Sequence, residues 1–146
     1  MNNNFNLKSF LAEGKLLNEI KINKPGRGKL EVKVNDRPDI NRVFYSFEID
    51  NGDFFSLHSS YFSNDYVSVY LSEDDIYADL LHEDIINYLN KNKIPFAISN
   101  EDNDSIIDGD KFEIPEDPED MFNRDILINK KDCKVPKEYQ EKFKNL

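Results

Sequence analysis

The chain has a single cysteine, Cys133, so it can form no disulfide of its own. That suits a reducing compartment, and a cytoplasmic setting is the expectation. Tryptophan is absent and there are only two histidines, His58 and His82, too few for a histidine-rich zinc site. Five glycines are scattered across turns, and no glycine-rich phosphate loop is formed. No stretch approaches the ~18 apolar residues that a spanning helix needs. Residues 1–11 lack a basic stretch followed by an apolar core, so no secretory signal is expected. Positive charge is also scarce, with 19 Lys and Arg against 29 Asp and Glu, a net charge of −10. Such a surface is repelled by anionic lipid and by phosphate backbones, so neither membrane nor direct nucleic-acid binding is expected.

What remains is a chain of 146 residues, read as one domain over 1–146. A chain of about this length buries roughly 68–70% of its unfolded surface and needs no metal or cross-link to fold. Eighteen aromatic residues argue against disorder, and twelve of them lie between Phe44 and Phe96. The core is expected there. Lysine outnumbers arginine 15 to 4, and asparagine occurs 18 times. That bias is associated with AT-rich coding sequence, as in a low-GC bacterium or its phage.

The charge is segregated. Residues 71–125 hold 17 acids and 4 bases, whereas residues 1–70 balance at 9 of each. The last 21 residues carry 6 lysines and 3 acids. Segregation of this kind bears on partners and encounter rates rather than on fold.

Periodicity predicts an α+β fold: an antiparallel sheet of about five or more strands with one long helix, about 73–92, packed on it, and short terminal helices. Phe5, Leu7, Phe10 and Leu11 have helical spacing up to Gly14. Leu16, Ile20 and Ile22 then alternate with Leu17, Glu19 and Lys21, and Leu30, Val32 and Val34 with Lys29, Glu31 and Lys33, across a turn at Lys24-Pro25-Gly26-Arg27-Gly28. Pairing Ile22 with Leu30 sets Lys21 opposite Glu31 and Glu19 opposite Lys33, pairs that contribute roughly 0.2–1 kcal/mol each. Val43, Tyr45, Phe47 and Ile49 alternate again before Asp50-Asn51-Gly52-Asp53. A two-residue Asn-Gly turn would oppose Phe47 to Ser56 and throw apolar side chains onto the wet face. A three-residue loop or a bulge is therefore predicted, pairing Ile49 with Phe55, Phe47 with Leu57 and Val43 with Tyr61. Tyr66 to Leu71 reads as a fifth strand.

Ser72 is the predicted N-cap of the long helix, with Glu73, Asp74 and Asp75 in its first turn. Ile76, Leu80, Leu81, Ile85, Tyr88 and Leu89 form one stripe, and Pro95 is the stop. Residues 95–98 suggest a short edge strand. Residues 100–120 are an acidic loop region, with a small hairpin expected at Asp108-Gly109. Asp125 to Asn129 suggests another strand, and Pro136 to Lys144 a short helix with proline at its start. Residues 130–146 are a lysine-rich tail that could fold over the acids.

Motifs for chemistry are incomplete. Asp102, Asp104, Asp108, Asp110 and Glu113 match ligand positions of an EF-hand loop, but Ile107 stands where its glycine must be and Ile106 where an oxygen ligand belongs. His82-Glu83 begins a zinc-protease HExxH pattern that Ile86 breaks. Glu31-Val32-Lys33 matches half of a nuclease motif, yet the hairpin charge ladder already accounts for both charges. Neither an enzyme nor a cofactor or metal site is expected.

The expected function is an acidic inhibitory protein that docks a basic partner, as an immunity protein or antitoxin neutralises a nuclease-type toxin. The candidate surface comprises Asp74, Asp75, Tyr77, Asp79, Glu83 and Asp84 on the helix. It continues through Asp102, Asp104, Asp108, Asp110, Glu116 and Asp117 in the loop region. Tyr77 and Phe62 lie off the core stripes, where aromatics among charges suit interface anchors. Two alternatives are a phage-type nucleic-acid mimic inhibiting a DNA-binding enzyme and an accessory domain without catalysis.

Overall fold

The computed structural model describes residues 28–70, 78–100, 102–116, 118–121 and 124–146. The helix over residues 5–14, the strand over 16–22 with its pairing to Leu30, and the Ser72 cap fall outside these.

The sheet is built from chain segments whose alternation is visible in the sequence. Leu30 and Val32 are buried, while Lys29, Glu31 and Lys33 are exposed. Leu30–Glu31 (β1) pairs in parallel with Cys133–Lys134 (β9) as a separate two-stranded sheet. Lys33–Arg37 (β2) runs antiparallel to Arg42–Glu48 (β3). Phe54–Ser59 (β4) and Tyr66–Tyr70 (β5) follow, then Ala97–Ser99 (β6), Ile106–Asp108 (β7) and Asp125–Asn129 (β8). The seven-stranded sheet has the order β2-β3-β4-β5-β8-β6-β7, with every pairing antiparallel.

The β3–β4 hairpin has the predicted three-residue loop. The N–H of Ile49 donates to the Asp53 carbonyl at 3.0 Å, across Asp50-Asn51-Gly52. Gly52 closes the turn at φ +92°, where a side chain is strained. The pairing itself is two residues from the predicted one: Phe47 faces Phe55 and Tyr45 faces Leu57. A shift of two preserves the inward face, so the hydrophobic pattern specifies parity and leaves the pairing to the turn. Tyr61, expected opposite Val43, is instead 70% exposed.

One face of the sheet makes the core. Tyr45, Phe47, Phe55, Leu57, Val67, Val69, Ile98, Ile126 and Ile128 are buried in one cluster with Ile85, Ile86 and Leu89. The predicted long helix is a correction. Among the described residues there are two short helices, Ala78–Lys91 (α1, 14 residues) and Gln140–Lys144 (α2, 5 residues), and no long helix packed on the sheet. α1 ends at Lys91, one residue from the expected end, but the stop is a different one. The N–H of Lys93 donates to Asn90 and that of Ile94 to Leu89, while Lys93 turns left-handed at φ +56°. This Schellman pattern ends the helix before Pro95 is reached, because it buries Ile94 and satisfies the last carbonyls.

Two strand expectations also change. β6 is interior, flanked by β8 and β7, since residues 94–99 are buried on both faces. The hairpin after it turns at residues 100–105, not at Asp108-Gly109. Gly109 serves a close approach: a Cβ there would lie 2.6 Å from the Phe96 ring. β8 lies where it was expected. The C-terminal segment begins after Pro136 with a 3₁₀ turn, Lys137–Tyr139, and continues into α2. Phe143 of α2 is buried against the Tyr45 ring at 5.0 Å, and the Tyr139 hydroxyl donates to Asp36 at 2.9 Å.

Replacing Phe47 by Ala removes a fully buried ring at the centre of this core. Denaturant titration should show a loss of about 3–5 kcal/mol. Lys93→Gly should instead gain about 0.5–1 kcal/mol, because glycine adopts the left-handed conformation without the Cβ penalty.

Candidate docking surface

The acidic block is one excursion of the chain between two neighbouring strands of the sheet. β5 ends at Tyr70, β8 begins at Asp125, and these two residues are cross-strand partners. Everything between them leaves and returns at the same place. Within the excursion, α1 carries Asp79, Glu83 and Asp84. Glu83 and Asp84 are exposed and directly precede buried Ile85 and Ile86, as one turn of an amphipathic helix requires. Asp74, Asp75, Tyr77 and Asp117 lie outside the described residues.

Asp102 and Asp104 are exposed on the β6–β7 turn. That turn is held from within. Asn100 Oδ1 accepts from the N–H of Asp104 at 2.9 Å and of Ser105 at 3.3 Å, while its Nδ2 donates to Asp104 Oδ1 at 2.5 Å. Asn103, at φ +56°, accepts from Ser99 Oγ at 2.6 Å through its side chain. Its carbonyl accepts from the Tyr61 hydroxyl, also at 2.6 Å. Asp108 is half-buried, and its Oδ1 caps the next turn by accepting from the Asp110 N–H at 2.9 Å. Asp110, Glu113, Glu116 and Asp120 are exposed beyond it.

These acids form no single cluster. Asp102 and Asp104 lie at one end of β7 and Asp108 and Asp110 at the other, separated by about 10 Å of strand. The calcium-like spacing therefore runs along a strand through buried Ile106. Among the described residues no group of three or more His, Cys, Asp or Glu side chains is placed to hold a metal ion. The acids form a broad field rather than a coordination site.

Several bases that could neutralise this field bond outside it. In the tail, Lys134 pairs with Glu31 at 3.5 Å and Lys144 with Glu141 at 3.9 Å. Lys130 donates to the carbonyls of Lys144 and Leu146, and burial lowers its pKa. Inside the excursion, Lys91 reaches out to Asp50 at 2.7 Å, and that hydrogen bond raises its pKa. Arg124 is buried at the base, donating to the carbonyls of Asp120 and Ser99 with the Phe112 ring 5.6 Å away. A partly dehydrated cation hydrogen-bonded to carbonyls contributes less to the outer potential than a solvated one.

Several features of this surface were not read from the sequence. Phe62, expected to be exposed, is half-buried against Tyr66, Ala97, Ile106 and Leu127 and stacks on Tyr61 at 4.5 Å. On the outer sheet face, Phe44 and Phe54 are 42% and 59% exposed. Strand parity was the available signal, since both alternate with core residues. On the same face Ser68 is buried and donates to the half-buried Asp125, whose pKa burial raises against the opposing effects of Ser68 and His58. His82 is fully buried on α1. Cys133 Sγ lies 3.5 Å from the Asn129 carbonyl, and burial pushes its thiol pKa up to about 12.

No family model matches the chain, and neither do the curated proteins or the solved structures compared with it.

Two titrations follow. Asp125 has a folded pKa above its unfolded one, so its contribution is favourable while protonated and is lost as pH rises through the folded value. Asp125→Asn should therefore stabilise the fold at neutral pH, with the gain shrinking below the ordinary carboxylate pKa; a gain that persists in acid contradicts the burial effect. For Cys133, native protein at mildly alkaline pH should react with a thiol reagent far more slowly than unfolded protein.

Proposed function

We propose that this chain is a non-catalytic docking protein that binds a basic protein partner through the acidic excursion. Its character is that of an immunity protein or antitoxin neutralising a nuclease-type toxin. The reading is supported above all by one observation: Lys134 and Lys144 pair with Glu31 and Glu141 and Lys130 donates to C-terminal carbonyls, so these three tail lysines engage groups outside the acidic region. A field left open in this way draws in cationic surfaces and can raise association rates to roughly 10⁸–10⁹ M⁻¹s⁻¹ at low salt. The exposed Glu83 and Asp84 of α1 are the proposed centre of contact, and Asp79 belongs to the same helix. Asp102, Asp104, Asp110 and Glu116 widen the field around it.

The test is affinity capture from cells of the organism that encodes the chain, using wild type beside the double variant Glu83→Lys/Asp84→Lys. A basic protein should be retained by wild type at low salt and released as salt rises. The double variant should bind it at least about tenfold more weakly, a loss of about 1.4 kcal/mol. Equal retention by both chains at all salt concentrations contradicts the proposed face. A captured DNA-binding enzyme that duplex DNA displaces would transfer the reading to nucleic-acid mimicry. Recovery of no partner would leave an accessory domain.

A further inference from the structure

We draw no further inference here: the strongest candidate, the open β2–β4 half of the outer sheet face with Phe44 and Phe54 exposed on it, sets two rings among polar and charged neighbours, with Lys33 over the Phe54 ring, and nothing in the structure shows what covers it.

Discussion

The ladder between β5 and β8 is the constraint on which the rest of the structure depends. It pairs Tyr66–Tyr70 with Asp125–Asn129, segments far apart in the chain. Closing a loop of this length costs on the order of 3–4 kcal/mol in chain entropy. Burial of Val67, Val69, Ile126 and Ile128 at this seam offsets that cost, at roughly 1.5–3 kcal/mol for each side chain. β8 then supplies the edge on which β6 forms, and β6 supplies the edge for β7. The acidic excursion thus owes its own strands to the ladder that closes it.

This arrangement separates charge in space as the sequence separates it along the chain. Strands β1 to β5 come from the balanced segment, and the tail returns to that side. Lys134 meets Glu31, Tyr139 meets Asp36, and Phe143 meets Tyr45. An apolar anchor and a parallel strand pairing hold the tail there, where Lys134 meets the charge-balanced segment. Self-repulsion among the acids remains as a cost that the core must carry.

The sheet was legible wherever one face is wet. Tyr45, Phe47, Ile49 and Val32 were placed correctly because alternation against polar neighbours leaves one inward set. Pairing was less legible, as Phe47 opposite Phe55 shows, because a slip of two residues leaves every side chain on its own face. The interior place of β6 was not legible, because Pro95 at its start suits an edge and a run as short as Ala97-Ile98-Ser99, buried on both faces, carries no period to oppose that. The helix end lies where the spacing puts it, but its stop was not legible, because Lys93 adopts a conformation usually given to glycine. Of the candidate surface, the exposure of Glu83 and Asp84 followed from helical spacing. The Tyr61–Asn103 tether did not, since it joins two loops that no local pattern relates.

The dependence of thermal stability on sodium chloride tests the central claim, an acidic field left unneutralised, without knowledge of any partner. Salt at about 1 M shortens the Debye length to about 3 Å and suppresses interactions among exposed charges. If the acids of the excursion repel one another and the tail lysines lie elsewhere, the melting temperature rises steadily from low salt to that concentration. A melting temperature that falls over the same range would mean that attractive pairs dominate, with the lysine tail closed over the acids, and would contradict it.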